Sequence, residues 1–407
     1  MRRLAYLVLP LLLCCVACQP TSSRRFDPQQ VDFQVTYPQL FSGVLYPSLI
    51  LGLSHSSLAT SDTHSFFAVS LTAPVKDAVV RIVVDSSALN YVTIQQEVLH
   101  DKGQTYTLFP QIKWKYDKLY ATKQPSSVDF TFTCYINDEE VDVKNVRLSC
   151  RSVNECLLAV HYEGKTYDYK WLFAGYVNED HPYIEQILAD ILEQGVVNRF
   201  TGYMKGSVTV EDQVFAVWNY ALERGISYSS ITCTSNPTRT ARVQHIRFFD
   251  EVYNTRQANC IDACVFFASI LRKIGLKPVI FVGPCHAYLG YYTDKQKKHI
   301  ALLETTMTGW VQFPTLQRYL DEEGRLPADR YEKLKQYLTA DQQRRYEEGT
   351  MTFEELKRCV SRSIFDKASK YNLENYKANK AAFADTSNTD YQMLDIEQLR
   401  QFVQPIN

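Results

Sequence analysis

Two cysteines lie one helical turn apart in the stretch QANCIDACVFF of this 407-residue chain. The first, Cys260, begins a predicted apolar helix that ends at Gly275. A thiol at a helix N-terminus faces unpaired backbone N–H groups and the positive end of the helix dipole, which both stabilise the nucleophilic thiolate. Cys260 is therefore a candidate nucleophile, although its position alone leaves a buried structural cysteine as an equal alternative. Cys264 lies one turn further in, where the N–H groups are already bonded, and we predict that it packs in the core.

A histidine and a glutamate lie on neighbouring strands predicted after this helix. The predicted order is strand LKPVIFVG, strand HAYLGYYT, turn DKQKK and strand HIALLETT. Antiparallel pairing about that turn sets His286 opposite Glu304 or Thr305. A base that is oriented by an acid and lies next to an activated thiol is the arrangement used in nucleophilic catalysis. Cys260, His286 and Glu304 are therefore the predicted catalytic residues.

These segments carry a resemblance to a known family. The segments are NCIDACVFFASILRKIGLKPVI, CHAYLGYY and LLETT. They resemble the transglutaminase-like (papain-like thiol) superfamily, in particular exported bacterial members with a preceding β domain. The resemblance covers roughly residues 180–310. It implies a cysteine peptidase, amidase or acyl transferase that acts on a peptide or protein amide without a cofactor, with Cys260 as nucleophile, His286 as base and Glu304 as orienting acid. The chain departs from the family pattern at Glu304, where Asp is more common, and at Cys285, where Gly is typical.

An acyl-transfer site also needs donors for the oxyanion. The backbone N–H of Cys260 is one candidate, and the side chain of Gln244 or Gln257 is another. The resemblance favours Gln244, because a Gln precedes an R-x-x-D/E run in the similar bacterial proteins. Asn259 is predicted to cap the helix, and Asp262 in its first turn suits the helix dipole but would work slightly against a thiolate.

The part of the chain before this core has the pattern of a β-sandwich. Short runs rich in β-branched and aromatic residues alternate with polar clusters, as in SFFAVSLTA, AVVRIVVD, VDFTFTCYI and CLLAVHYEG. Many short strands at this spacing indicate two packed sheets. We therefore assign residues 31–165 to a β-sandwich domain, in which Trp114 packs rather than binds a ligand.

Helical patterns surround the predicted active site, and Trp218 lies beside the apolar stripe of one of these helices. The polar segment 226–259 is predicted to be a long irregular loop, functional or a lid. Residues 166–310 are expected to form an α+β core in which a helix packs on an antiparallel sheet. Residues 311–407 are expected to form a mostly helical C-terminal region. The predicted fold class is therefore α+β.

The amino terminus has the pattern of an export signal. Arg2 and Arg3 precede an apolar stretch that is too short for a transmembrane helix and that ends in small residues before Cys18. This resembles a bacterial lipoprotein signal, with an ordinary secretory signal as the alternative. We expect a signal peptide at residues 1–18, a lipid on Cys18 that anchors the protein to a membrane in the periplasm or at the outer membrane, and a polar tether at residues 19–30.

Composition excludes some functions and leaves another open. The formal net charge is −1 and no long basic run occurs, so nucleic acid is not an expected partner. Hydrophobic residues make up 45% and charged residues 22%, which excludes an intrinsically disordered chain. The chain also contains 27 Tyr and 21 Phe, which suits the alternative of a catalytically inactive lipoprotein that binds peptide or glycan.

The cysteines allow two further hypotheses. A zinc ion would accept three sulfur ligands and one nitrogen ligand, here from Cys260, Cys264, Cys285 and His286. Adjacent residues on a strand point to opposite faces, however, so Cys285 and His286 are poorly placed to share a metal, and we predict no metal site. In an oxidising compartment Cys150 and Cys156 form the nearest non-helical pair for a disulfide.

Overall fold

The computed structural model describes residues 26–54, 66–230 and 240–406, so Cys18 and the predicted signal segment lie outside the described residues. The strands are β1 (Phe33–Thr36), β2 (Val44–Leu45), β3 (Ala68–Thr72), β4 (Ala78–Val84), β5 (Thr93–Leu99), β6 (Thr105–Leu108), β7 (Ser126–Ile136), β8 (Glu139–Cys150), β9 (Glu155–Tyr162), β10 (Lys165–Asp168), β11 (Ser227–Tyr228), β12 (Ala241–His245), β13 (Gln257–Ala258), β14 (Pro278–Val282), β15 (Ala287–Tyr292), β16 (Ile300–Leu303) and β17 (Gln392–Asp395).

The α-helices are α1 (Pro47–Gly52), α2 (Tyr116–Ala121), α3 (Phe173–Tyr176), α4 (Tyr183–Glu193), α5 (Val210–Arg224), α6 (Phe249–Thr255), α7 (Cys260–Lys273), α8 (Phe313–Gln317), α9 (Ala328–Leu334), α10 (Ala340–Glu347), α11 (Phe353–Tyr371), α12 (Leu373–Ala378), α13 (Lys380–Ala384) and α14 (Ile396–Leu399). Short 3-10 helices occur at Pro28–Gln30, Gln39–Phe41, Lys170–Leu172, Thr305–Trp310 and Lys335–Tyr337. The described chain is a mixed α+β protein with several sheets, which agrees with the predicted class.

The amino-terminal strands form two sheets with an aromatic core. One sheet has the order β2-β8-β7-β4-β5 and the other has the order β1-β3-β6. The ring of Phe67 packs against Phe130 and Phe132, with centroids 4.9 Å away in each case. Trp114 lies edge-on to Phe130, so its predicted packing role is confirmed. The alternating burial along β4 explains why this region has a two-residue sequence period.

The sequence pattern predicts that the strand in CLLAVHYEG belongs to the β-sandwich, but in the structure it belongs to a different sheet. It is β9, which pairs antiparallel with β10 and β12 in a separate three-stranded sheet. The predicted boundary at residue 165 therefore falls within the β9–β10 hairpin. The buried run on β9, including Cys156, Leu157 and Val160, shows that this strand is covered on both faces. A strand buried on both faces carries no alternation that would assign it to one sheet.

Helix α7 packs on the sheet that follows it in the chain. This sheet has the order β16-β15-β14-β17, and all its pairings are antiparallel. Its first three strands are the ones predicted from sequence. Gly275 follows the end of α7 with φ +82°, a left-handed conformation that glycine adopts without strain, so the predicted stop is confirmed. Trp218 on α5 is fully buried, and its core position is confirmed.

The segment before α7 is not the irregular loop that we predicted. It contains β11, β12, α6 and β13, while residues 231–239 lie outside the described part of the chain. Strand β12 pairs with β9, about eighty residues earlier, and β11 pairs in parallel with β13. Short strands with distant partners have no hydrophobic period of their own, which is why composition alone indicated a loop.

The C-terminal region is mostly helical as expected, but it also contributes a strand. Strand β17 pairs with β14, setting Asp395 opposite Val279. The last described residues are hydrogen-bonded to α1 and α3. The amide of Gln404 donates to the carbonyl of Gly52 over 2.8 Å, and that of Ile406 donates to the carbonyl of Gly175 over 2.7 Å. Among the described residues, no helix is both long and apolar enough to cross a membrane.

Candidate active site

Cys260 is the first residue of α7, and its backbone is held by a capping box. The side chain of Asn259 accepts hydrogen bonds from the amides of Ile261 and Asp262 over 3.0 and 2.9 Å. In return, the carboxylate of Asp262 accepts from the amide of Asn259 over 3.0 Å. The predicted cap is confirmed, and it fixes the half-buried thiol at the positive end of the helix dipole.

The negative charge of Asp262 is compensated locally. Its carboxylate is fully buried and forms an ion pair with the Arg247 guanidinium over 2.9 Å. The amide of Arg247 donates to the same carboxylate over 2.9 Å. Burial raises the pKa of Asp262, and the bonds from Asn259 and Arg247 oppose this. The repulsion that we expected between Asp262 and a thiolate is therefore offset by a partner that lies fifteen residues away in the sequence.

His286 lies between the Cys260 thiol and the Glu304 carboxylate. It immediately precedes β15, and its Nε2 donates to Oε2 of Glu304 over 2.7 Å. The Cys260 thiol lies close enough to this ring to be the first cause of the shift in the His286 pKa. The bonds to Cys260 and then to Glu304 outweigh burial and raise the pKa of His286 to about 10. The structure therefore brings together all three residues of the predicted triad.

The strand register differs slightly from the predicted one. Strand β15 pairs Leu289 with Leu303, and continuing that register would set His286 opposite Thr306 rather than Glu304 or Thr305. The imidazole nevertheless reaches Glu304, because β16 ends at Leu303 and Glu304 caps the 3-10 helix that begins at Thr305. The long Glu side chain spans the shift, which a shorter Asp would span less easily.

The Glu304 carboxylate is only 1% exposed and accepts four hydrogen bonds. Its Oε2 accepts from His286 and from the amide group of Asn372, the latter over 2.6 Å. Its Oε1 accepts from the backbone and the hydroxyl of Thr306 over 3.1 and 2.6 Å. Burial opposes the charged form, but these bonds outweigh it and lower the pKa of Glu304. Sequence reasoning missed both Thr306 and Asn372.

A cleft of about 370 Å³ opens beside His286. Its lining consists of Ser227, Tyr228, His286, Thr306, Gly309 and Trp310. The rings of Tyr228 and Trp310 are about half exposed. A Cβ at Gly309 would lie 3.0 Å from the backbone nitrogen of Tyr228, so a larger residue here would require β11 to shift by a few tenths of an ångström. Because β11 pairs with the strand just before Cys260, the cleft lies between the segment that leads to Cys260 and the side chain of His286.

The remaining predicted residues have other surroundings. Gln244 lies on β12, where its amide donates to the carbonyl of His245 over 3.4 Å, and its oxyanion role stays a prediction. Gln257 is exposed on β13. Cys264 is fully buried and 3.6 Å from the Thr305 hydroxyl, and burial raises its pKa well above the usual value, so its core position is confirmed.

The metal and disulfide hypotheses gain no support. Cys285 is exposed whereas Cys264 is buried, which separates two members of the suggested zinc set. Among the described residues, no group of three or more His, Cys, Asp and Glu side chains could hold a metal ion. Cys150 and Cys156 are both buried free thiols, so the suggested disulfide is not formed.

No protein-family model matches this chain, and no curated protein matches it. The chemical interpretation of the site therefore depends on its geometry.

Proposed function

We propose that this protein is a transglutaminase-like cysteine hydrolase or acyl transferase that acts on amide bonds. The observation that carries the proposal is the position of His286, which is hydrogen-bonded to the buried Glu304 carboxylate over 2.7 Å and whose pKa is raised by the neighbouring Cys260 thiol. A nucleophile, a base and a group that orients the base are the minimum set for covalent acyl transfer. A structural cysteine has no need of the other two.

In the first half of the reaction, the Cys260 sulfur attacks the amide carbonyl carbon. A C–S bond forms, and the carbonyl oxygen becomes an oxyanion that the free backbone N–H of Cys260 stabilises at the helix start. His286 holds the proton that left the thiol and transfers it to the amide nitrogen as the C–N bond breaks. The amine leaves, and the acyl group remains on Cys260 as a thioester. Glu304 stabilises the imidazolium throughout.

In the second half, an acceptor releases the acyl group. His286 removes a proton from water, the resulting hydroxide attacks the thioester, and the C–S bond breaks to give a carboxylic acid and the Cys260 thiolate. A primary amine in place of water would give a new amide. The cleft beside His286 offers hydroxyl groups and two half-exposed rings, which suit a substrate segment that is largely uncharged. Export and lipid attachment through Cys18 belong to the same proposal, because a lipid anchor would hold the enzyme at the cell envelope.

The reactivity of the thiols tests the proposal without a known substrate. We expect iodoacetamide at pH 6 to label Cys260 at least about tenfold faster than the exposed Cys285, because a protonated His286 stabilises the Cys260 thiolate. Peptide mapping by mass spectrometry measures both rates in one sample. The variant His286→Ala should remove the advantage of Cys260, whereas His299→Ala, at an exposed histidine paired with Asp294, should not. Equal labelling of Cys260 and Cys285 in the wild-type protein would rule out the proposed mechanism.

A further inference from the structure

Asn372 contacts the candidate site from a distant part of the chain. It caps the C-terminal end of α11, and its side chain is buried with 6% of its surface exposed. Its Nδ2 donates over 2.6 Å to Oε2 of Glu304, the same oxygen that accepts from His286. Asn372 is therefore linked to His286 through two hydrogen bonds that share Oε2 of Glu304, although 68 residues separate it from Glu304 in the sequence.

The same end of α11 also holds the backbone of Glu304. The amide of Glu304 donates to the carbonyl of Ala368 over 3.1 Å. Ala368 is fully buried, as are Ile364 and Phe365 before it, so this end of α11 is anchored in the core. The C-terminal end of α11 thus binds both the backbone and the carboxylate of Glu304. The carboxylate cannot move away from His286 without breaking its hydrogen bond to this buried helix end.

A buried glutamate needs such a brace more than an aspartate would. Glutamate has one more rotatable bond, so more side-chain freedom must be lost to hold its carboxylate in one place. A buried carboxylate is also costly unless its oxygens are hydrogen-bonded. Bonds from Thr306 satisfy only Oε1, and among the described residues the imidazole of His286 would be the one remaining side-chain donor to Oε2 if Asn372 were removed. The bond from Asn372 to a charged acceptor is of the stronger kind.

We propose that Asn372 is a positioning residue that fixes the Glu304 carboxylate against His286, so that the C-terminal helical region is a working part of the active site. This inference rests on the proposed function. Asn372 contacts neither the thiol nor the cleft and acts through Glu304. It also offers a physical reason why Glu can stand here where the similar family more often has Asp, because the longer side chain is held by an additional donor.

The test is the pH profile of Cys260 alkylation by iodoacetamide, measured from pH 4 to 8 on the full chain. Asn372→Ala should move the acid-side midpoint up by about one pH unit, because Glu304 loses a donor that favours its charged form. Asn372→Asp keeps the size of the side chain but faces a second carboxylate towards Glu304, and should move the midpoint further, by about two units. Asn372→Gln keeps the amide donor and should restore most of the wild-type profile.

Matched controls are Asn375→Ala and Asn375→Asp at an exposed asparagine of the next helix turn, which should leave the midpoint unchanged. A thermal melt of every variant separates the two roles, because a merely structural role lowers the melting temperature without moving the midpoint. An unchanged midpoint in both Asn372→Ala and Asn372→Asp, with His286→Ala still abolishing the reactivity, would overturn the role of Asn372 alone. If the wild-type Cys260 has no enhanced reactivity at all, the proposed function falls and this inference falls with it.

Discussion

Two cavities of the described structure are each associated with a half-buried cysteine, but the surroundings of the thiols differ. The first opens beside His286, whose pKa is raised by the neighbouring Cys260 thiol. The second, of about 620 Å³, lies on the other thiol, Cys359, and three arginines line it: Arg345, Arg358 and Arg362. The second cavity is larger and carries more charge, so size and charge alone would select it as the active site.

The two cavities differ in whether their charged side chains can act on the cysteine. In the second cavity Arg362 pairs with Asp366 over 2.9 Å, and Arg358 donates to the carbonyl of Gln194 over 2.6 Å. Cys359 lies in the middle of α11, where the backbone N–H groups are bonded within the helix. Burial raises the pKa of Cys359, which favours the unreactive thiol. A cysteine in a cavity becomes a candidate nucleophile only when a helix start and a base meet it, as they do at Cys260.

The largest expected effect is on the total labelling of the protein. At pH 6, with fluorescent iodoacetamide, Cys260→Ser should slow the initial labelling rate at least about tenfold, because the protonated His286 stabilises the thiolate of Cys260 and the exposed Cys285 reacts more slowly. Cys359→Ser should leave that rate unchanged. Fluorescence of the protein band over time measures both. If the initial labelling rate fell more in Cys359→Ser than in Cys260→Ser, the second cavity rather than the first would contain the reactive cysteine.

The next effect concerns the proton on His286. Glu304→Gln removes a charge that stabilises the imidazolium, so the midpoint of the His286 titration, seen in the NMR spectrum of the ring, should fall from about 10 by one to two units. Because the folded-state pKa is raised above 6.5, this interaction stabilises the fold fully below pH 6.5, and its contribution disappears as the pH rises towards 10. The stability lost in Glu304→Gln should follow the same window.

The matched control is Glu355→Gln, which removes a carboxylate from the lining of the second cavity. It should leave the His286 titration where it is. A titration that moves equally in Glu304→Gln and Glu355→Gln would mean that His286 senses the overall charge of the protein rather than its hydrogen-bonded partner.

The smallest effect is a change in global stability, which should not distinguish the two cavities. Burial opposes the charge of Glu179, but ion pairs with Arg400 and Arg272 outweigh it and lower its pKa to about 2. A lowered carboxylate pKa stabilises the fold above pH 4.5, and this is lost as the pH falls towards 2. Glu179→Gln should therefore reduce the free energy of unfolding at pH 7 by about 2 kcal/mol, measured by urea titration, and by much less near pH 2.

Glu185→Gln serves as the control, because Glu185 is exposed and its ion pair with Lys273 is long, at 3.8 Å. It should change the free energy of unfolding little. The pH profile of Cys260 labelling should be the same in both variants, since neither residue contacts the site. A shifted profile in Glu179→Gln would show that the reactivity depends on global stability and would weaken the local explanation.

Local features of the candidate site could be predicted from the sequence. The cap at Asn259, the start of α7 at Cys260 and the core position of Cys264 all follow from interactions within one helix turn. The order of the three strands after α7 follows from their apolar composition and a short turn. The meeting of His286 with Glu304 could be anticipated because a hairpin fixes its own register to within a residue or two.

Other features depended on contacts that no local pattern records. Strand β17 completes the sheet from the far end of the chain, β9 pairs with β12 rather than with the amino-terminal sheets, Arg247 compensates Asp262, and Asn372 braces Glu304. The two members of each pair are separated by many residues in the sequence. Neither member carries a local sequence pattern that identifies its partner before the chain folds. The sequence by itself determined α7, the three strands that follow it and the candidate nucleophile, because helix and hairpin energetics are local. Only the tertiary structure decided how the acid is held, because burial and pairing of a carboxylate depend on everything that surrounds it.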